Sequence, residues 1–196
     1  MVTQQFEQRT RELIDSLKAI CAAYGLGNDG NEFKIITQVF LYKFLNDKFA
    51  FEAKKIRPDL AKAESWEAAM GAMNADDREM LQMQMGPDTA RLKPEHFIAH
   101  LFGRQNAPEF AKLFDDTLRD IAVTNNDIFA VKTDGGAKIT LFDRVSEFIT
   151  DTSKRDAFCR AIINKLGDFS FERIFSEKYD FYAALFEYLI KDYNKD

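Results

Sequence analysis

The sequence predicts a mainly α-helical fold, a multi-helix bundle with one small β-hairpin at about residues 128–142. Apolar residues recur at helical spacing in successive segments, and clusters of Gly, Pro, Asn and Asp separate these segments. Hydrophobic residues make up 46% of the 196 residues and charged residues 30%, which is the composition of a globular protein. The 19 phenylalanines indicate a thick aromatic core or an aromatic partner surface. Residues 1–196 are expected to form one helical domain.

The two longest helices are expected in the first third of the chain. The first runs from Thr3 to about Tyr24, because its apolar residues fall near one face. Five turn-forming residues within 25–30 then predict a loop. The second helix is expected to begin at an N-cap, Asn31, and to stop at Pro58. Its apolar residues cover most of its circumference, which is typical of a helix at the centre of a bundle.

Shorter helices are expected in the middle of the chain. Residues 65–85 predict one or two of them, and five of the six methionines lie between residues 70 and 85. Methionine fills irregular gaps in a core and also forms adaptable contact surfaces, so this segment is a candidate contact surface. Pro94 and Pro108 each stand where the first turn of a further helix would begin.

A change of pattern at Ile128 predicts the hairpin. Apolar residues flank the turn sequence Thr133-Asp134-Gly135-Gly136 on both sides with strand-like alternation, which is typical of two antiparallel strands joined by a tight turn. An isolated hairpin is only marginally stable, so we expect this one to pack on the helices or on a partner.

Helices are expected to resume after the hairpin. Residues 143–150 predict a short helix, and Thr152 or Ser153 can cap a longer one whose C-cap is Gly167. The last predicted helix begins at Asp180 and is apolar on nearly all sides. Such a helix either lies within a core or presents a face to a partner.

The candidate reactive residues do not form a catalytic constellation. Cys21 and Cys159 lie in apolar helical patterns, and both are expected to be buried reduced thiols. His96 and His100 share a predicted helix face, but the chain contains no third histidine and lacks the HExxH order of a zinc site. Surface or capping roles are therefore expected for the histidines, and no catalytic, cofactor-binding or metal-binding residue is predicted.

The charge is even along the chain, with no basic tail and a net charge of −5. This composition argues against strong independent binding to nucleic acid, although it leaves room for a local basic patch. The candidate DNA-binding residues are Lys54, Lys55 and Arg57 at the end of a predicted helix, and Lys132 and Lys138 beside the hairpin turn. A helix end or a two-stranded ribbon can present such residues to phosphates. Ordinary solvated charges, which also suit the helix dipole, are the competing interpretation.

The sequence predicts a cytoplasmic protein. The N-terminal segment is too polar for a signal peptide. The chain also lacks an apolar run of about 18 residues, which a membrane-spanning helix would need.

Two stretches resemble a known family. Asn31–Lys34 with Phe40–Phe49 is similar to an acidic-aromatic-Lys start that leads to the phrase F-L-K-x-[LF]-[SN]-D-x-F. Tyr179–Ile190 is similar to the phrase D-x-x-G-x-[FY]-E-Y-L. Both phrases occur, in this order and at about this separation, in the N-terminal helical domain of the DNA-adenine methyltransferase (M) subunit of type I restriction-modification systems. The resemblance spans nearly the whole chain.

The resemblance implies that the chemistry lies outside this chain. The family transfers a methyl group from S-adenosylmethionine to adenine N6, and it clamps the flipped base with an [ND]-P-P-[FY] motif. None of the four prolines here is followed by a second proline. The resemblance therefore implies that the parent protein is a site-specific, S-adenosylmethionine-dependent methyltransferase. Its catalytic domain would follow residue 196, and the chain itself would hold no cofactor and catalyse no reaction.

The resemblance also implies partners. An N-terminal domain of this kind packs against its own methyltransferase domain, contacts the specificity subunit and a second M subunit, and helps to enclose DNA. The apolar last helix is the candidate contact with these partners, through Phe181, Leu185, Phe186, Tyr188 and Leu189. The alternative function is a stand-alone helical protein-interaction or regulatory domain without enzymatic activity. An independent DNA-binding module is a third possibility that the even charge disfavours.

Overall fold

The structure, a computed structural model, describes residues 2–87, 89–129, 142–168 and 170–175. Within these residues the chain is mainly helical, as the sequence predicts, and no strand is present. The α-helices are α1 (Val2–Ala23), α2 (Gly30–Ile56), α3 (Pro58–Lys62), α4 (Trp66–Ala72), α5 (Ala75–Gln84), α6 (Ile98–Gly103), α7 (Phe110–Thr124), α8 (Asn126–Phe129) and α9 (Arg155–Gly167). Short 3-10 turns lie at Pro94–His96, Val145–Phe148, Thr152–Lys154 and Glu172–Ile174.

The longest helix, α2, forms the centre of the fold. Buried residues occur on most of its sides, and α1, α3, α5 and α9 all pack against it. Its N-cap is Asp29, whose side chain accepts a hydrogen bond from the backbone N–H of Asn31 at 3.0 Å. The prediction of Asn31 as the cap is wrong, because Asp29, two residues earlier, supplies the carboxylate that accepts from a free N–H of the first turn. The helix ends just before Pro58, which opens α3.

Helix α9 is the second organising element. It packs against α1, α6 and α7 and so joins the two ends of the described chain to its middle. Asp151, rather than Thr152 or Ser153, caps the turn that leads into α9, since its carboxylate accepts from the Ser153 N–H at 3.1 Å. Gly167 is the last helical residue, and Asp168 is the C-cap instead. The buried residues of α9 are Phe158, Cys159, Ile162, Ile163 and Leu166.

Aromatic side chains fill the core, which confirms one of the two expectations from the high phenylalanine content. The ring of Phe171 stacks on that of Phe40 with 6.3 Å between ring centroids. Elsewhere in the core, the ring centroids of Trp66 and Phe97 lie 4.7 Å apart. Such ring pairs stabilise a core beyond the effect of the buried area. The fully buried aromatic residues are Phe40, Tyr42, Phe49, Phe97, Phe110, Phe114, Phe158 and Phe171.

Polar side chains in the middle of α2 fix segments that are distant in sequence. The Asn46 Oδ1 atom accepts a hydrogen bond from the backbone N–H of Ile98 at 3.0 Å. The Asp47 carboxylate accepts one from the backbone N–H of Phe171 at 2.8 Å, and it also lies 3.1 Å from the Lys43 ammonium. All these side chains are buried, so they satisfy backbone groups that water cannot reach.

Tyr42 and Asn125 fix the segment between α5 and α6 in the same manner. The Tyr42 hydroxyl donates to the backbone carbonyl of His96 at 2.6 Å. The amide of Asn125 makes two bonds to the backbone of Arg91, accepting from its N–H at 2.7 Å and donating to its carbonyl at 2.9 Å. We call Tyr42, Lys43, Asn46 and Asp47 the α2 polar cluster. Together with Asn125 it positions residues 91–98 without a long helix in that segment.

The predicted β-hairpin is wrong at its start. Residues Asn126–Phe129 form α8, so Ile128 and Phe129 are helical rather than extended. The physical reason lies in Asn125, which ends α7 while its side chain is held by Arg91, and the chain then takes another helical turn. Residues 130–141, which would form the rest of the hairpin, lie outside the described residues.

Three further helix boundaries differ from the predictions. The segment from Pro94 is a 3-10 turn followed by α6 rather than one helix, because His96 turns inward to be buried. Helix α7 begins at Phe110 instead of Pro108, since Glu109 adopts a left-handed conformation with φ of 57°. The short helix predicted within 143–150 is a 3-10 turn.

We predict that Asp47→Ala destabilises the protein by about 3–5 kcal/mol, the range for removing one partner of a buried ion pair. The substitution removes the carboxylate that lies 3.1 Å from the buried Lys43 ammonium, and it removes the acceptor of the Phe171 N–H. Urea denaturation followed by circular dichroism measures the loss. Asp59→Ala is the control, because the ion pair of Asp59 with Arg57 is solvent-exposed and a small effect is expected. Equal effects of the two substitutions would contradict the role given to Asp47.

Candidate functional site

The predicted basic cluster lies at the C-terminal end of α2, and each of its members has a carboxylate partner. The Lys54 ammonium lies 2.8 Å from both carboxylate oxygens of Glu172. The Lys55 ammonium lies 3.2 Å from Glu52, and the Arg57 guanidinium lies 2.8 Å from Asp59. The structure therefore brings the three cations together, and a bound phosphate would have to compete with these carboxylates.

Aromatic rings lie among these cations. The Lys48 ammonium lies 5.7 Å from the centroid of the Phe51 ring and 5.3 Å from that of Phe175. The Lys55 ammonium lies 5.2 Å from the centroid of the Phe51 ring. We call Lys48, Phe51, Lys54, Lys55 and Phe175 the basic-aromatic end of α2. Partly exposed rings beside lysines are the groups that stack bases and bind phosphates in nucleic-acid-binding proteins.

Sequence reasoning did not identify Lys48 and Phe51 as site residues. Only the tertiary structure brings the ring of Phe175 beside Lys48, and no local motif indicates that contact. The remaining predicted site residues cannot be placed: Lys132 and Lys138, and the contact set Phe181, Leu185, Phe186, Tyr188 and Leu189, lie outside the described residues.

A groove of about 720 Å³ runs beside α5. Its walls are α5 and the segment that follows it, and their apolar residues include Met83 and Leu92. The side chains of Met80 and Met83 are 60% and 73% exposed, so two of the predicted contact methionines face solvent. Met70 and Met85 are buried instead. The Met-rich segment therefore divides between the core and the surface.

The α2 polar cluster lies under a second, smaller cleft of about 330 Å³. Its polar atoms are already engaged, since the Asn46 amide nitrogen donates to Asp47 at 3.0 Å and its oxygen accepts from Ile98. The Asp47 carboxylate accepts from Phe171 and Lys43. This arrangement is that of a structural connection rather than of a ligand site.

Asp115 and Ser146 form a buried hydrogen-bonded pair. The Ser146 hydroxyl donates to Asp115 at 2.5 Å, and the Ser146 backbone N–H donates to the other carboxylate oxygen at 3.1 Å. Burial raises the pKa of Asp115, and the two bonds from Ser146 oppose this shift. Both histidines of the chain have other surroundings, so no imidazole base accompanies the serine hydroxyl. Asp115 therefore acts as a cap for the Val145–Phe148 turn.

His96 is buried and does not share a helix face with His100. Its Nδ1 atom accepts from the Lys93 backbone N–H at 3.1 Å, and its Nε2 atom lies 2.6 Å from Asp120. Because Nδ1 is an acceptor, the neutral ring carries its hydrogen on Nε2 and donates it to Asp120. This is a capping role for His96. Among the described residues no group of three or more His, Cys, Asp and Glu could hold a metal ion.

The two cysteines are buried and free, as predicted. Burial raises the pKa of the Cys21 thiol to about 12, and burial also raises that of Cys159. A thiol with a raised pKa is protonated and unreactive at neutral pH.

No helix in the described part of the chain is long and apolar enough to cross a membrane. Comparison of the chain with models of protein families, with curated proteins and with solved structures gave no match.

We predict that His96 makes the stability depend on pH. Burial lowers the pKa of His96 in the folded state below its ordinary value of 6.5, and protonation of Nδ1 would break its bond to Lys93. The unfolded chain therefore takes up a proton that the folded chain resists, and the free energy of unfolding falls as the pH drops below about 6.5.

Urea denaturation at pH 7.5 and at pH 5.5 measures this dependence. His96→Gln should flatten the difference between the two pH values. The matched control, His100→Gln, should retain it, since the side chain of His100 makes no hydrogen bond or ion pair with the described residues. An unchanged difference in the His96→Gln variant would rule out His96 as its source.

Proposed function

We propose that this chain is an accessory N-terminal domain of a type I restriction-modification DNA N6-adenine methyltransferase subunit, which supports DNA enclosure and subunit assembly. The observation that carries the proposal is the place of the family-like phrase within the fold. Five residues match the phrase F-L-K-x-[LF]-[SN]-D-x-F at its own spacing, and all five are buried: Lys43, Leu45, Asn46, Asp47 and Phe49.

The matching residues have structural tasks that explain their chemical types. Lys43 and Asp47 are four residues apart and form the buried ion pair of α2. Asn46 binds the backbone of Ile98, a task that a serine hydroxyl can also perform. Leu45 and Phe49 belong to the core. A phrase whose residues specify the fold is a stronger basis for a shared architecture than one composed of exposed residues.

The basic-aromatic end of α2 supports a contact with DNA. It places the ammonium groups of Lys48 and Lys55 within 5.7 Å of the centroid of the Phe51 ring. In the proposed complex these groups contact the DNA backbone, and the carboxylate of Glu52 is displaced from them. Phosphate contacts of this type position a protein on DNA without reading its sequence.

In this proposal the chemistry belongs to a methyltransferase domain on the same polypeptide. That domain binds S-adenosylmethionine and the flipped adenine, and the specificity subunit recognises the DNA sequence. The helical domain described here packs beside the catalytic domain and contacts the specificity subunit and a second M subunit.

We predict that the chain of residues 1–196 alone neither binds S-adenosylmethionine nor transfers a methyl group. The measurement is a titration with radiolabelled S-adenosylmethionine at low salt, with and without duplex DNA. Clear binding or transfer would mean that the chain holds a catalytic site, and the role of accessory domain would then have to be abandoned.

We also predict that Lys48→Gln with Lys55→Gln weakens duplex DNA binding by the assembled methyltransferase. Loss of two phosphate contacts should reduce the salt dependence, lowering the slope of log K against log salt by about two. Lys112→Gln with Lys165→Gln is the control, because these exposed lysines are also ion-paired but lie on α7 and α9. Equal slopes for the two variants would argue against a DNA contact at α2.

A stand-alone helical interaction domain is the second candidate, and the exposed Met80 and Met83 favour it. The two candidates differ in what the gene encodes after the codon for Asp196. A frame that continues into an N-P-P-F-like motif supports the methyltransferase subunit. A stop codon at that point supports the stand-alone domain.

A further inference from the structure

Helix α5 presents two methionines and two carboxylates on one exposed face. Asp76, Glu79, Met80 and Met83 are three or four residues apart and therefore neighbours on the helix surface. All four are exposed, and Met80 and Met83 are 60% and 73% accessible. The opposite side of α5 is anchored in the core by Leu81 and Met85. We call the exposed set the α5 face.

The two methionines are not needed to attach α5 to the core. Leu81 and Met85 already provide its buried contacts. An adjacent pair of exposed methionines therefore offers apolar area that folding leaves uncovered, and methionine adapts its shape to varied partners. The groove of about 720 Å³ adjoins this face, because Glu79 and Met83 belong to its wall.

The floor and rim of the groove extend the apolar surface. Leu92, Pro87 and Pro94 line it together with Met83. The α5 face and this groove thus lie side by side. A polypeptide segment with one apolar side can cover the α5 face and insert side chains into the groove, which is how amphipathic helices bind.

The charges around this surface indicate that its partner is positively charged. Two groove cations are already paired, the Arg91 guanidinium with Asp127 and the Lys93 ammonium with Asp120 at 2.8 Å. The third, Arg78, donates to backbone carbonyls. In contrast, no ion pair with a described residue is made by the carboxylates of Asp76, Glu79 and Glu95.

The sequence around this surface carries a net negative charge. Residues 58–87 contain six acidic and two basic residues, so most of the net charge of −5 lies in this segment. Phosphate-rich partners such as duplex DNA would be repelled there. A basic partner would supply cations for ion pairs with these three carboxylates.

We propose that the α5 face and its groove are a docking surface for a basic, amphipathic helical segment of a partner protein. The apolar side of the segment covers Met80 and Met83. Its lysines or arginines pair with Asp76, Glu79 and Glu95. This inference rests on the exposure and charge of α5 and is independent of the proposed methyltransferase role.

The test uses the full chain and a synthetic helical peptide of about 18 residues, or five turns, with leucines on one side and lysines on the other. Fluorescence anisotropy of the labelled peptide gives its Kd. Two control peptides separate the requirements: one has the same residues in an order without an apolar side, and the other has glutamate in place of lysine. The lysine peptide should bind, and both controls should bind much more weakly.

Two double variants locate the binding surface. Met80→Ser with Met83→Ser should weaken binding about tenfold or more through lost apolar contact. Glu79→Gln with Glu95→Gln should weaken it about fivefold and reduce the effect of raising the salt concentration. Val123→Ser removes an equally exposed apolar side chain on α7, and Glu7→Gln with Glu12→Gln removes two exposed carboxylates on α1, so both should leave Kd within about twofold of the parent.

The outcomes decide the proposal. Selective weakening by the two α5-groove variants, with unchanged circular dichroism, supports it. Equal binding by all variants, or tight binding of the glutamate peptide, overturns it. Sedimentation of the chain alone tests whether a second copy of the chain occupies this surface. Self-association that depends on Met80 and Met83, without selective peptide binding, also overturns the proposal.

Discussion

The buried polar cluster in the middle of α2 is the constraint on which the rest of this structure depends. A lysine and a carboxylate have been removed from water, which costs free energy unless every polar atom finds a partner. Asp47 finds three partners, the Lys43 ammonium, the Phe171 N–H and the Asn46 amide nitrogen. The Asn46 oxygen accepts from the Ile98 N–H. Moving the segments around residues 98 and 171 away from α2 would leave these buried polar atoms without their bonds, so the cluster favours the observed packing.

The same device recurs at the edges of the fold. The Asn125 amide accepts from the Arg91 N–H and donates to the Arg91 carbonyl. The Asp115 carboxylate accepts from the hydroxyl and the N–H of Ser146. In each case a side chain from a long helix satisfies the backbone of a segment that is too short to satisfy itself. Short 3-10 turns are therefore stable between the helices, and the apolar core can be built from rings contributed by distant parts of the chain.

Two surfaces formed by the described residues differ in their chemistry. The end of α2 combines lysines with aromatic rings, which suits phosphates and bases. The α5 face combines methionines with carboxylates, which suits a basic polypeptide. An accessory domain that holds DNA and also assembles with other subunits requires surfaces of both kinds. Their separation on different helices allows both to be occupied at once.

The sequence alone determined the helical class, the central position of α2 and the burial of both cysteines, because these follow from local periodicity and apolar content. It also located Lys54, Lys55 and Arg57 together, since they are neighbours along one helix end. Tertiary structure decided the contacts between residues that are distant in sequence, which periodicity cannot predict. The helical state of Ile128 and the bonds of Asn46 and Asp47 to Ile98 and Phe171 depend on backbone groups 34 or more residues away. The inward turn of His96 depends on the Asp120 carboxylate, 24 residues away. Such pairings are fixed by the burial of unsatisfied polar groups, which arises only when the helices pack.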